Sequence, residues 1–274
     1  MSQKTVCNMT PSTVSVESLF LDYDGTISPM GVCREKALVP DGIKKRLESI
    51  AKRIPIGIVT SKDSSFVVPR TPFAHAWSTV CGLETLVDGK ILEKPVSRTK
   101  HERIDAALKY VQSGLESGMF AIEKKRNSRG EIVAFCVDWC SSKEPEVARK
   151  VAEGYASYFE KLSLHVAGSF EHFFLDVYPY SVDKGNAVRT MMRKLRLKRC
   201  SMFLGDSEMD NSAFRACDVS IGVIHSSTKS EKLECDYLVE FKSVDSFFGE
   251  LLGNDLVFDP KFSTVKANPQ GVSG

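Results

Sequence analysis

The stretch Leu19-Phe20-Leu21-Asp22-Tyr23-Asp24-Gly25-Thr26 decides how the rest of the chain is read. Its apolar opening, Leu19 to Leu21, has the character of a short buried strand. Two carboxylates follow, two residues apart, where that strand ends. Gly25 and Thr26 then suit a sharp loop with exposed backbone N–H groups. In extended backbone, residues i and i+2 point to the same side, so Asp22 and Asp24 share one pocket if the extension reaches that far. Carboxylates so close repel, and a hard divalent cation relieves the repulsion. A strand running into an Asp-rich turn accounts for the same residues without chemistry, since Asp and Gly are common in turns.

The surrounding chain has 274 residues, 42% hydrophobic and 26% charged, enough for a sizeable core and more than one folding unit. A net charge of +2 gives no reason to expect nucleic acid or an anionic membrane as partner. The eight cysteines include no C-x-x-C pair; Cys136 and Cys140 are the nearest two. Cys81, Cys136 and Cys217 sit in apolar stretches and read as small buried hydrophobes, so free thiols in a reducing cytoplasm are expected. The sequence has neither a signal peptide's apolar core nor a run of membrane-spanning length, and a soluble cytoplasmic protein is expected.

Residues 1–17 read as a loose tail. A helix is expected over 41–53, with Asp41 as N-cap and Ile43, Leu47 and Ile50 on one face. Residues 56–60 read as a second strand, closing on the hydroxyls Thr60 and Ser61, which suit a helix N-cap. Residues 76–81 make a third strand. This alternation is the rhythm of a parallel α/β sheet. From 84 to 180 the rhythm changes. A hairpin turns at Asp88-Gly89, a helix covers 100–115, and strands over 120–125 and 132–139 flank a polar turn. A second helix spans 144–160, and strands follow over 162–166 and 172–177. The pattern predicts a small α+β domain, 84–180, inserted into a core of 1–83 and 181–274. The first rhythm resumes with a helix over 184–195, its inner face Val188, Met191, Met192 and Leu195. A strand over 201–204 runs into Gly205-Asp206-Ser207. A helix over 208–216, a strand over 219–222 and a helix over 243–252 follow, and 254–274 is expected to be disordered.

The full D-x-D-G-T after an apolar strand resembles motif I of the haloacid dehalogenase-like (HAD) phosphohydrolases. The resemblance implies a Rossmann-like parallel-sheet α/β core with an inserted α+β cap. It implies Asp22 as nucleophile and Asp24 as general acid and then base. Thr60-Ser61 matches motif II, which implies that the Thr60 hydroxyl, with Ser61 beside it, binds phosphate. Asp183-Lys184-Gly185 resembles motif III, in which a lysine neutralises nucleophile and phosphate; a solvated surface lysine is the plainer reading. Gly205-Asp206-Ser207-Glu208-Met209-Asp210 resembles motif IV, although a capped helix start also favours acids there. Motif IV implies Asp206 as a direct Mg²⁺ ligand and Asp210 as a second ligand or an anchor behind it. The expected set is Asp22, the backbone carbonyl of Asp24, Asp206, phosphate and water. Backbone N–H groups at Tyr23, Gly25 and Thr26 are expected to help hold the phosphate oxygens.

Within that superfamily the chain is similar to the trehalose-6-phosphate phosphatases. Asp22 to Pro29 matches D-Y-D-G-T-L-S/T-P, Phe120 to Lys125 resembles a cap segment I-E-D-K, and Leu175 to Pro179 with Val182 to Gly185 resembles E-I-R-P…D-K-G. The implied partner is a small phosphorylated sugar, trehalose 6-phosphate first, contacted by Glu123, Lys125 and Asp176. An exposed charged face on cap strands is the other reading of those three. The chain departs from the pattern with Asp176 for Glu, Tyr178 for Arg, Ser207 and Asn211 for acids, and Cys81-Gly82 for His-Gly. Mannosyl-3-phosphoglycerate or sucrose-phosphate phosphatases, a phosphomannomutase-like enzyme and a non-catalytic sugar-phosphate-binding protein stand as alternatives. A monomer or small homo-oligomer is expected.

Overall fold

The computed structural model describes residues 13–32, 34–113, 118–169, 173–197, 201–226, 230–262 and 265–266. Val14–Ser15 (β1) and Ser18–Leu21 (β2) lead into helix α1, Asp41–Ala51. Ile56–Val59 (β3), the short helix Ser64–Val67 (α2) and Ala76–Thr79 (β4) follow. β2 and β3 are buried throughout, as strands covered on both faces must be. Helix α1 turns Ile43, Leu47 and Ile50 inward as expected. Its N-cap is Pro40, without a capping side chain, so Asp41 is instead the first helical residue, at the positive end of the helix dipole.

Glu84–Val87 (β5) and Lys90–Glu93 (β6) form the expected hairpin, with Asp88 and Gly89 both in the left-handed region at φ 50 and 68. Its place differs from the expectation. β5 pairs antiparallel with β4, from Ala76↔Val87 to Thr79↔Glu84, so the hairpin extends the core sheet and does not open the insertion. The boundary expected at residue 84 falls inside that sheet, because a hairpin's local pattern does not say which edge it joins.

The insertion proper comprises Arg98–Ser113 (α3), Ala121–Arg126 (β7), Ile132–Asp138 (β8), Pro145–Lys161 (α4), His165–Ser169 (β9) and Phe174–Tyr178 (β10). Its antiparallel sheet has the order β7-β8-β10-β9. Phe135, Val137 and Val177 meet Ile104, Leu108, Tyr155 and Phe159 of the two helices in one apolar cluster. Side chains alternate across a strand, so the intervening residues face away from those helices. Cys136 registers with Glu123 on one side and Asp176 on the other.

The chain returns to the core with Lys184–Lys194 (α5), Ser201–Gly205 (β11), Asn211–Phe214 (α6) and Val219–Ile224 (β12). Tyr237–Glu240 (β13), Val244–Gly253 (α7), Val257–Phe258 (β14) and Val265–Lys266 (β15) complete it. The large sheet runs β15-β13-β12-β11-β2-β3-β4-β5-β6. Leu19, Leu21, Ile56 and Ile58 pack toward α1 and α7, and Phe20, Val59 and Phe203 toward α5 and α6. Part of the C-terminal stretch expected to be disordered is ordered: Phe258 is buried and β14 pairs with β1, while β15 pairs with β13. Residues 1–12 of the expected tail, and 263–264 and 267–274, lie outside the described residues. Among the described residues no helix is long and apolar enough to cross a membrane, and Cys81, Cys136, Cys140, Cys217 and Cys235 are free.

Candidate active site

Ligand sites of open α/β sheets form beyond the carboxyl ends of the strands, and the motif residues gather there. The Asp22 N–H donates to Leu204 O at 2.9 Å, which aligns the ends of β2 and β11 and brings Asp22 beside Asp206. Both side chains are buried, at 6% exposure each. Regular strand ends at Leu21, yet Asp22 and Asp24 line the same cleft, as their spacing suggested. The loop between them and Asp206 is tight. Gly25 has φ +73, and a Cβ there would lie 2.1 Å from Asp206 Oδ2, so only glycine fits. His225, at the end of β12, donates from Nε2 to Gly25 O at 2.7 Å and holds that loop.

Lys184 enters from α5. Asp183 caps this helix by accepting from Asn186 N–H at 3.0 Å, which fixes Lys184 as the first helical residue. Its Nζ lies 3.0 Å from Asp22 Oδ1 and 2.7 Å from Asp210 Oδ1, and the residue is buried. It is no surface lysine. Asp210 combines both sequence readings. Its Oδ2 accepts from the N–H groups of Asp206 and Ser207 and from Ser207 Oγ, each at 3.1 Å, a capping box at a helical turn. Its Oδ1 takes Lys184. The expected helix over 208–216 is two pieces, Glu208–Asp210 in 3₁₀ form followed by α6. The same box explains Ser207: a hydroxyl caps this turn where the resembled family has an acid.

Oxygens of Asp22, Asp206 and Asp210 all lie within 4.8 Å of one another. Burial pushes the Asp22 carboxyl up to about 7; Lys184 opposes this, and the charges of Asp210 and Asp24 add to it. Burial, with Asp22 and Asp210 beside it, also pushes Asp206 well up. Burial works against the Lys184 charge, but Asp210 and Asp22 outweigh it and hold the ammonium protonated. Three acids thus face one lysine in a dry place, and burial holds Asp22 and Asp206 toward their neutral forms unless a cation arrives to favour the charged ones. Hard oxygen donors in excess of local positive charge suit Mg²⁺.

Facing this cluster across a cavity of about 220 Å³ stand Glu123, Lys125 and Asp176. The exposed-face reading does not hold for two of them: Lys125 and Asp176 are 2% and 3% exposed and paired at 2.5 Å. Tyr178 OH donates to Asp176 Oδ2 at 2.8 Å and meets Cys81 Sγ at 3.4 Å. The two departures Asp176 and Tyr178 therefore answer each other. Glu123 pairs with Arg34 and, at 3.0 Å, with Lys62, whose Nζ also stands 3.4 Å from Asp24 Oδ2. Burial disfavours the Glu123 charge, but Lys62, Lys125 and Arg34 prevail and lower its pKa.

Other expected residues fare differently. Ser61 lines the cleft. The Thr60 hydroxyl accepts from Lys62 N–H at 3.1 Å, but neither Thr60 nor Ser61 caps α2: Asp63 does, accepting from Phe66 N–H at 3.0 Å. Asp63 stands three residues before Phe66, a spacing at which an N-cap side chain reaches the N–H of the first turn. Thr26 is fully buried, and the Tyr23 side chain turns into the core, donating to Ala37 O at 2.6 Å, so what Tyr23 offers the cleft is backbone. Sequence reasoning assigned no role to Arg34, Lys62, Asp63 or Tyr178. A charged residue directly after the Thr60-Ser61 turn was the one signal that could have flagged Lys62.

The fold and site define a capped α/β protein with a buried carboxylate–lysine centre at its strand ends. A model of the haloacid dehalogenase-like hydrolases matches residues 88–248, and the chain belongs to that family. The matched segment includes Lys184 and Asp206 and begins after Asp22. Among solved structures, the C-terminal domain of a trehalose-6-phosphate phosphatase from C. albicans superposes with a TM-score of 0.68 at 17% identity, over 88% of this chain and 93% of that one. A trehalose-6-phosphate phosphatase related protein gives 0.62 at 18%, over 87% and 99%. A sugar phosphatase of HAD subclass IIB gives 0.61 at 14%, over 88% and 100%. At such identities the likeness is one of fold. No curated protein matches the sequence significantly.

Proposed function

We propose that this chain hydrolyses the phosphate monoester of a small sugar, trehalose 6-phosphate being the first candidate, through an aspartyl phosphate on Asp22. The observation that carries the reading is the Lys184 ammonium, 3.0 Å from Asp22 and 2.7 Å from Asp210, beside the buried Asp206. Asp22, Asp206 and the backbone carbonyl of Asp24 would hold Mg²⁺, which when bound neutralises the phosphate oxygens facing a carboxylate nucleophile. Asp210, with both oxygens engaged by Lys184 and the 206–207 turn, acts as the anchor behind that set.

An Asp22 oxygen attacks phosphorus, and the bond from phosphorus to the sugar oxygen breaks with its electron pair on that oxygen. Asp24 protonates the departing oxygen. It then takes a proton from the water that attacks the aspartyl phosphate, releasing inorganic phosphate and the free Asp22 carboxylate. Lys184, the Thr60 hydroxyl and the N–H groups of Tyr23 to Gly25 hold the equatorial oxygens, where positioning and charge supply most of the rate. On the cap side, the self-neutralised Lys125–Asp176 pair and Glu123 offer polar atoms to sugar hydroxyls. Neighbours described as trehalose-6-phosphate and sugar phosphatases share the fold, which supports this class.

A phosphate-release screen over mono- and disaccharide phosphates, with and without Mg²⁺, tests the reading. Magnesium-dependent release is expected, and its absence for every ester would reject hydrolysis. Return of the phosphoryl group to a hexose rather than to water would instead identify a mutase.

A further inference from the structure

The turn after β3 carries a lysine that the scheme above leaves unused. The Lys62 backbone is fixed at both ends: its N–H donates to Thr60 Oγ1 at 3.1 Å, and its carbonyl accepts from Val80 N–H at 2.9 Å. Its side chain, 16% exposed, passes the Phe66 ring with Nζ 5.5 Å from the centroid. The ammonium reaches Asp24 Oδ2 at 3.4 Å and Glu123 Oε2 at 3.0 Å. Among the described residues, this is the one ion pair that Asp24 makes. Glu123 sits on β7, the edge strand of the cap sheet, and is also gripped by Arg34, which stands over the same Phe66 ring at 4.4 Å. Arg34 in turn pairs with Asp63 at 3.2 Å. Two cations from separate core loops converge on one cap carboxylate.

We infer that Lys62 is a positioning residue that aims the Asp24 carboxylate into the cleft and, through Glu123, ties that aim to the cap sheet lying over the core. The role given to Asp24 rests on the phosphatase reading, whereas the tie rests on geometry alone. An ammonium has three donors and no acceptor, so it serves both carboxylates at once. The Asp24 carboxylate is 36% exposed, and left alone it samples rotamers in water. Pairing with a cation that Glu123 itself immobilises removes that freedom and prepays the orientation the proton transfers need. With the cap sheet withdrawn, Lys62 loses its second anchor and Asp24 loses its fixed direction.

The full-length chain with Lys62→Met, Lys62→Arg, Glu123→Gln and the double change Lys62→Met with Glu123→Gln tests this. Two readouts are taken: backbone hydrogen exchange over residues 121–126, and steady-state hydrolysis of p-nitrophenyl phosphate and trehalose 6-phosphate. In Lys62→Met, exchange should quicken about tenfold. Its kcat should fall roughly 10- to 100-fold on both esters, more than KM changes for p-nitrophenyl phosphate. Lys62→Arg should restore most of both, and the losses of Lys62→Met and Glu123→Gln should not add. Wild-type exchange in Lys62→Met would overturn the tie, even if the wild type hydrolysed neither ester, so the two readings fail separately. A kcat within about twofold of wild type, or an arginine variant as impaired as the methionine one, would overturn the positioning role.

Discussion

Two charged clusters face each other across the cleft, and they are built on opposite terms. On the core side, three buried acids share one lysine, and burial pushes two of them, Asp22 and Asp206, toward their neutral forms. On the cap side, Lys125 and Asp176 are equally buried but matched one to one, with Tyr178 filling the remaining acceptor. An unbalanced buried cluster is costly until something charged arrives; a balanced one asks for nothing and tolerates neutral neighbours. The core half is therefore suited to a cation and a phosphate, and the cap half to an uncharged polyol. On the proposed reading, one half would carry the chemistry and the other the choice of substrate.

The most forceful way to break this comparison is Asp22→Asn. It should lower phosphate release by about 10,000-fold or more while the melting temperature holds, because it deletes the proposed nucleophile and removes one of several crowded acids. Turnover near wild type would end the covalent scheme. On the cap side the expectation is reversed. Lys125→Met alone strands a buried Asp176 and should cost about 3 kcal/mol of stability, whereas Lys125→Met with Asp176→Leu should recover most of it and show its damage in KM for the sugar phosphate. Thermal melts of the three proteins decide this; a double variant no more stable than the single one would show that the pair does more than neutralise itself.

Magnesium sharpens the contrast further. At about 100 times its Kd, a ligand specific to the folded state adds about 2.7 kcal/mol. A Mg²⁺-dependent rise in melting temperature is expected for the wild type and for the cap double variant, and its loss in Asp206→Asn. Survival of the rise in Asp206→Asn would move the cation elsewhere.

The smallest effect concerns the tie between the halves. The Glu123 pKa is lowered in the fold, chiefly by Lys62 once burial is overcome. Its contribution is therefore complete above the ordinary value of 4.5 and is lost as the pH falls through the lowered one. A carbon NMR titration of this carboxyl should find a midpoint below 4.5; a midpoint at or above 4.5 would dissolve the proposed contact.

Much of the core was legible because its signals are local. An apolar run that ends in Asp22, a helix that opens on Lys184, and a capped helix start with acids at Asp206 and Asp210 are each written within a few residues. The cap's alternation was legible too, although which of its charges were buried was not. Period two says that Lys125 leaves the helix-facing layer; it does not say that Asp176, 51 positions away, lies opposite it. The hairpin at Asp88-Gly89 was found and misplaced for the same reason: turn chemistry fixes a hairpin, and only sheet pairing assigns it an edge. The strands near the C-terminus escaped because two-residue segments have no periodicity to detect.

By itself, then, the sequence determined which groups could do chemistry and which elements would deliver them, since backbone propensity, capping and side-chain alternation act over a few residues. Tertiary structure alone decided the balance of charge. That Asp210 is engaged on both oxygens, that Lys125 is neutralised, and that Lys62 stands between Asp24 and Glu123 all depend on distances between parts of the chain that meet only after folding. Electrostatic energy depends on those distances and on exclusion of water, and neither is written in residue order.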